Sequence, residues 1–336
     1  MKSIKSPLAI LKILALTLGL TLSLSSVGWT RETIRIGYFP QIHDAATFAL
    51  RKALGKKYKL DYVRFLRYTD AAIALSRNDI QLSQLGYTSA VTGALQSSHP
   101  AFVYVAGMSR GAINVVCRKD VLIKTWQDLK GKTFGVLTGG PAELFFDDAL
   151  HVHGLSPQDV KAVDFTAPGP PLLQALQNGT IQCTAVYEPF AATAVASGTA
   201  YYPPVNLAEN SFFGINGGMA INAKFLKSHP KFVQDVVNTV VQSTALYNHD
   251  QPALISDIEN SAIAGEFKTN VIKLSASHVI LDSNLYLASL YKLATSMKVL
   301  GFVTKLPSDK ALAAYYDYRF LEKATRKTPD ELGRNR

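Results

Sequence analysis

Residues 74–88 read Ala-Leu-Ser-Arg-Asn-Asp-Ile-Gln-Leu-Ser-Gln-Leu-Gly-Tyr-Thr, and residues 175–189 read Ala-Leu-Gln-Asn-Gly-Thr-Ile-Gln-Cys-Thr-Ala-Val-Tyr-Glu-Pro. Each is the end of a short helix, a polar turn, a β-run opening on Ile-Gln, and a loop with Tyr near its tip. One α/β unit is therefore written twice, and strands alternating with helices of this length imply parallel sheets joined by right-handed crossovers. Two such units predict two lobes with a cleft between them.

The repeat extends upstream of both stretches. In the first unit, Thr33–Tyr38 reads as a strand and Asp44–Gly55 as a helix with Asp44 as its N-cap. Lys59–Leu66 is a strand, Tyr68–Arg77 a helix and Asp79–Leu85 a strand. In the second, Thr133–Leu137 is a strand and Thr138-Gly139-Gly140-Pro141 a turn. Pro141 opens a helix to His153, with Gly154 as its C-cap. Lys161–Phe165, a helix over 172–178 and Ile181–Val186 complete it. Two β-runs, Phe102–Ala106 and Ala112–Cys117, lie between the units. After the strand Gly217–Asn222 the pattern turns helical over 223–247, 252–265, 283–297 and 309–316. The tail from Lys323 is charged and reads as frayed.

The N-terminus sets the compartment. Lys2 and Lys5 precede an apolar stretch from Leu8 to Leu24 broken only by Lys12, and Ser26-Val27-Gly28 supplies small residues at a cleavage site. After Lys12 the apolar core is about 12 residues, short of the roughly 20 that span a bilayer. Residues 1–28 are thus expected to be a signal peptide cleaved near Gly28, which places the protein in the periplasm. Losing Lys2, Lys5 and Lys12 lowers the formal charge from +10 to +7. The basic residues are scattered, so no nucleic-acid partner is expected, and the mild excess agrees with an anionic ligand. Cys117 and Cys183 both fall on β-runs and read as buried free thiols. No Cys-x-x-Cys, no His-Glu-x-x-His and no Gly-x-Ser-x-Gly occurs, so neither metal, cofactor nor catalysis is expected. His43-Asp44 looks like a catalytic pair but is accounted for by a helix start. His151 and His153 point apart on a helix.

Ile34-Arg-Ile-Gly-Tyr-Phe-Pro40, Asp128-Leu-Lys-Gly-Lys-Thr-Phe-Gly135, Tyr187-Glu-Pro-Phe190 and Lys224-Phe-Leu-Lys-Ser-His-Pro230 resemble the binding proteins of ATP-driven importers, in particular the sulfonate, taurine and nitrate group. That group also includes binders of thiamine-precursor pyrimidines and shares its fold with the pyrimidine synthases. The resemblance covers about residues 33–300. It implies a two-lobed type II periplasmic binding fold, each lobe a mostly parallel sheet flanked by helices. Lobe one would be 29–118 with 217–322, lobe two 119–216, and 323–336 a tail. It also implies a monomer that hands a small ligand to a permease driven by ATPase subunits, and it implies no enzyme.

Ligands in open α/β sheets sit beyond the carboxyl ends of the strands. The loops there propose the site residues: Tyr38, Phe39 and His43; Tyr68 and Thr69; Tyr87 and Thr88; Thr138, Gly139 and Gly140; Tyr187 and Glu188. Ser109 and Arg110 follow the strand at 102–106, and Phe213 lies near the return crossing. Thr138-Gly139-Gly140 leads into a helix N-terminus, whose free amides would hold a sulfonate or carboxylate. The tyrosines would pack on an apolar or planar body. An organosulfonate is the leading ligand. An aminopyrimidine bonded to Glu188 is the alternative, and an exported sensor domain a further one.

Overall fold

The computed structural model describes residues 32–335, so the leader expected at 1–28 lies outside the described residues. The first unit runs β1 (Thr33–Tyr38), α1 (Ala45–Leu54), β2 (Lys59–Arg64), α2 (Tyr68–Arg77) and β3 (Leu82–Gly86). It continues through α3 (Thr88–Gln96) to the long strand β4 (Phe102–Arg110). The second unit comprises β5 (Ile113–Arg118), β6 (Thr133–Leu137), α4 (Pro141–Val152), β7 (Lys161–Phe165), α5 (Pro170–Asn178), β8 (Cys183–Tyr187), α6 (Phe190–Ala196) and β9 (Ala200–Tyr201). After it come β10 (Ile215–Asn222), α7 (Ala223–Ser228), α8 (Pro230–His249), α9 (Gln251–Glu259), α10 (Thr269–Ala276) and β11 (Ile280–Leu281). The described chain closes with α11 (Leu287–Val299), α12 (Asp309–Ala313) and α13 (Arg319–Thr325).

Two sheets result, with strand orders β11-β4-β10-β3-β1-β2 and β7-β6-β8-β5-β9. In each, three parallel strands from one repeat (β2-β1-β3 and β7-β6-β8) are followed by an antiparallel neighbour, β10 or β5. The duplicated residues do the same work in both. Ile80 and Ile181 are fully buried and press on Gly37 and Gly135 of the neighbouring strand, where an added Cβ would lie 2.7 and 2.6 Å from the isoleucine Cδ1. The Gln81 side chain accepts from the Arg35 amide at 2.8 Å, and Gln182 accepts from that of Thr133 at 3.0 Å. Asn78 and Gly179, at matching places, both take the left-handed conformation that ends a helix.

The chain leaves the first sheet between Arg110 and Ile113, because β5 pairs with β8 of the second. The crossing expected near Arg118 therefore comes earlier, and Ala112–Cys117 is not a lobe-one strand. The return falls between β9 and β10. This antiparallel register also sets Cys117 opposite Cys183 with Cα atoms 4.0 Å apart, and the two are joined in a disulfide. The expectation of two free thiols is thus corrected: both are buried, but they face one another on neighbouring strands.

Helices absent from the sequence reading include α3, α6, α10 and α13. Residues 88–96, Thr-Ser-Ala-Val-Thr-Gly-Ala-Leu-Gln, are poor in strong helix formers, so packing rather than propensity makes that helix. The helix expected over 223–247 is two, with Pro230 opening the second. The tail is not frayed: Leu332 is fully buried, and its carbonyl and that of Gly333 accept from the amides of Leu285 and Leu287. Asp44 precedes α1 but does not cap it; its carboxyl turns back to the Phe39 amide at 2.8 Å.

Candidate functional site

The carboxyl ends of β1, β2 and β3 face those of β6, β7 and β8 across a cavity of about 260 Å³. On the first-sheet side it is lined by Gln41, by Leu66–Thr69 at the start of α2, and by Thr88, Ser89 and Thr92 in the first turns of α3. Met297 and Phe302, at and beyond the end of α11, close that wall. The second-sheet side is Leu137–Ala142 with Leu144, Thr166–Pro168 and Tyr187. Glycine shapes both sides. A Cβ on Gly86 would come within 3.2 Å of the Pro141 ring, so the turn after β3 can lie against the turn after β6. Gly139 takes φ +76°, a region in which other residues are strained.

A buried relay orients the floor. The Tyr68 hydroxyl donates to Gln41 Oε1 at 2.9 Å, and His43 Nε2 lies 3.1 Å from the same hydroxyl. Burial lowers the His43 pKa to about 3, so the ring is neutral. With the Tyr68 proton on Gln41, His43 donates from Nε2, and its Nδ1 is left without a partner. The Gln41 amide nitrogen is likewise free of protein partners among the described residues. Across the cavity the Tyr187 hydroxyl is buried and unpartnered, with its ring centroid 5.7 Å from that of His43.

Two of the helix starts at the cavity, those of α3 and α4, are in opposite states. At α3 the amides of Thr88 and Ser89 have no protein acceptor among the described residues, and the exposed Arg67 lines the same cavity. At α4 the donors are already used. The Gly139 amide donates to Glu143 Oε2 at 2.6 Å, the Thr138 hydroxyl to Asp164 Oδ1 at 2.8 Å, and the Gly140 amide to the Leu137 carbonyl at 3.3 Å. Pro141 brings no N–H. Burial raises the Glu143 pKa, with Asp164 adding to the rise against the Gly139 amide. Asp147, one turn on, is pushed up to about 7 by burial and by Glu143. The seat expected for an anion at Thr138–Gly140 is therefore occupied by the protein's own carboxylates.

Of the residues expected at the site, the cavity brings together Tyr68, Thr69, Thr88, Thr138, Gly139, Gly140 and Tyr187. The others lie elsewhere. Tyr38 packs edge-on to Phe48 and Tyr62 in a second core beneath α9 and α10, and Phe39 packs on Tyr68 from behind. His43 reaches the cavity only through Tyr68. Tyr87 is buried against Tyr104 and Tyr316. The Ser109 hydroxyl accepts from Asn216 Nδ2 at 3.3 Å, and Arg110 pairs with Asp282 at 2.9 Å. Glu188 is fully buried, accepting from Tyr202 at 2.8 Å, Asn114 at 3.0 Å and the Ala192 amide at 3.1 Å. Phe213 is 60% exposed under the Lys292 ammonium. Strand ends carry side chains to alternate faces, and here one face seals the core. Gln41 and Arg67 lie in the loops after β1 and β2, where the sequence places the ligand, whereas Ser89, Met297 and Phe302 lie outside the expected loops. The Thr-Ser pair after Gly86-Tyr87 was the signal for Ser89; nothing local marks Met297 or Phe302.

The fold recurs in solved binding proteins. A ligand-binding component of an ABC-type import system from Staphylococcus aureus, with zinc bound, superposes with a TM-score of 0.74 at 18% identity over 88% of this chain and 100% of its own. The periplasmic aliphatic sulphonate binding protein SsuA from Escherichia coli gives 0.65 at 19%, covering 84% and 92%. The periplasmic nitrate-binding protein NrtA from Synechocystis PCC 6803 gives 0.73 at 12%, covering 91% and 92%. No curated protein matches the chain. Two α/β lobes enclosing a cleft define this molecule as a two-lobed periplasmic-binding-protein fold. The family profile described as NMT1/THI5 like matches residues 70–253, and the chain belongs to that family.

Proposed function

We propose that this protein is the exported substrate-binding component of an ABC importer, which closes on a small organic anion and presents it to a permease. The observation that carries the proposal is the cavity: it is lined from both sheets at their strand ends, and its lining holds no Cys, His, Asp or Glu. Such a lining can grip a guest but offers no carboxyl, imidazole or thiol at its surface for turnover. The disulfide accords with an oxidising compartment, in line with export behind a leader at 1–28. Among the described residues no group of three or more His, Cys, Asp or Glu could hold a metal ion.

The ligand class we propose is an alkane- or arylsulfonate. Its oxygens would lie against the Thr88 and Ser89 amides, the Thr69 and Thr88 hydroxyls and the Gln41 amide nitrogen, with Arg67 nearby. Leu66, Leu137, Pro141, Leu144, Met297 and Phe302 would cover its apolar body. A volume of about 260 Å³ lies below the roughly 300–1,000 Å³ of drug-sized sites, which favours a short guest. The aminopyrimidine reading loses its anchor, because Glu188 does not line the cavity and its oxygens are engaged. Lobe closure would hinge at 111–112 and 202–214, and the monomer would bind one ligand.

Native mass spectrometry of the purified protein, followed by thermal shift with sulfonates and uncharged heterocycles, tests this. At a hundredfold excess over Kd, a true ligand adds about 2.7 kcal/mol of stability. Arg67→Gln should weaken sulfonate binding about tenfold without changing the ligand-free melting point. Stabilisation by uncharged heterocycles alone, or catalytic turnover of the retained compound, would overturn the proposal.

A further inference from the structure

Resting on that reading of the cavity, we infer that Glu143 is a built-in anion that occupies the Thr138–Gly140 turn and sets the charge selectivity of the site. The guest then carries one anionic end, held at α3, and an uncharged or cationic group toward α4; a second anion is excluded. The geometry is that of a ligand mimic. Glu143 Oε2 sits 2.6 Å from the Gly139 amide, where an exogenous oxyanion would otherwise accept. A Cβ at Gly139 would meet nothing within 4 Å, so the turn is not sterically blocked; its donor is filled by a side chain from four residues on. Asp164 takes the Thr138 hydroxyl in the same way, and Asp147 adds a third carboxyl behind Glu143.

A separate observation supports a guest at this wall. Tyr187, only 4% exposed, lines the cavity, and its buried hydroxyl, next to the Ala142 backbone, completes no well-formed hydrogen bond within the protein. A buried hydroxyl left so is costly unless a guest atom completes it. It can serve a hydroxyl, an amine or an ether as well as an anion, so the carboxylates decide which group is admitted. A second anion at the Gly139 amide would have to displace Glu143 or lie against it, a repulsion large enough to cost about tenfold or more in affinity.

The test follows the Gly139 amide in ¹⁵N–¹H spectra of the mature protein at pH 7, titrated with methanesulfonate, in wild type and in Glu143→Ala. The expected result is a saturable displacement of Gly139 in Glu143→Ala that is several-fold larger than in wild type. Equal displacement in both proteins overturns the inference, as does displacement in neither. In parallel, thermal shifts compare ethanesulfonate with the dianion sulfoacetate. Wild type should favour ethanesulfonate by about tenfold, and the gap should close in Glu143→Ala; a gap that persists counts against Glu143. If no sulfonate stabilises either protein, the ligand class proposed above fails, and the Gly139 titration alone decides the role of Glu143.

Discussion

Breaking the Cys117–Cys183 bond offers the sharpest test of the fold. The bond joins β5 to β8 across a sequence separation of 66 residues, and both cysteines are wholly buried. In the chain-entropy picture, closing a loop of that length removes about 4 kcal/mol of unfolded-state freedom. For a protein of this size, at roughly 2 °C per kcal/mol, the loss corresponds to about 8 °C in melting temperature. The experiment compares oxidised wild type, wild type unfolded and refolded in reductant, and the double variant Cys117→Ala, Cys183→Ala. The last two should melt together and well below the first. Burial predicts that mild reductant leaves the native bond intact until the protein unfolds. Two thiols titrating per chain in denatured, unreduced protein would show that the bond does not form. Coincident melts of the oxidised and reduced forms would refute the loop-closure argument.

Two further predictions follow from buried carboxyls. The Asp147 pKa of about 7 lies above the ordinary 3.8 because burial and Glu143 disfavour its charge. Its contribution to stability is therefore full below about pH 4 and lost as pH rises through 7, on the order of 2–4 kcal/mol at most once partial solvent contact is allowed for. Asp147→Asn should flatten the fall in melting temperature between pH 4 and 7 and melt higher than wild type at pH 8; parallel pH profiles would count against it. Asp148, on α4, accepts from the Ser296 hydroxyl on α11 and from the Ser211 amide and hydroxyl at 2.7 and 2.9 Å. Because the Ser296 bond joins helices on opposite sides of the cleft, Ser296→Ala should raise the ligand Kd about tenfold or more, as loss of a hydrogen bond to a charged group implies. Unchanged affinity by calorimetry would show that the bond does not latch closure.

Much of the fold could be read from residues that recur. Ile80 and Ile181, Gln81 and Gln182, and Asn78 with Gly179 each do one job twice, so the repeat carried real structural information. What escaped depended on partners far away in sequence. The disulfide needed the β5–β8 register, and the wall formed by Met297 and Phe302 needed the packing of a late helix. Helix α3 needed tertiary support for a stretch with weak propensity. The aromatic residues at strand ends divided by side-chain direction: Tyr68 and Tyr187 reach the cavity, whereas Tyr38, Phe39 and Tyr87 seal cores. Glu143 carries a local signal. An acidic residue at the third position of a helix opened by Gly-Pro is where a carboxylate turns back on the free amides before it.

That signal bears on how the cleft works. The starts of α3 and α4 follow β3 and β6, which are not equivalent places in the two repeats, but both lie at the cavity, so each could present free amides to a guest. Two such positive ends facing one another would favour a dianion bridging them. Here the α4 set is neutralised from within by Glu143 and Asp164, while the α3 set keeps its amides, and Arg67 lines the same cavity. The wall on one side thus offers donors, whereas on the other the donors are held by carboxylates that stand behind the lining, beside a tyrosine whose buried hydroxyl is unpartnered. A ligand stabilises the closed form only by the contacts it gains there and lacks in the open form. A molecule with a single anionic end gains at α3 and still satisfies Tyr187 without meeting Glu143, whereas a dianion gains at one wall what it loses at the other. Selectivity then arises from the difference between the two walls of the cleft.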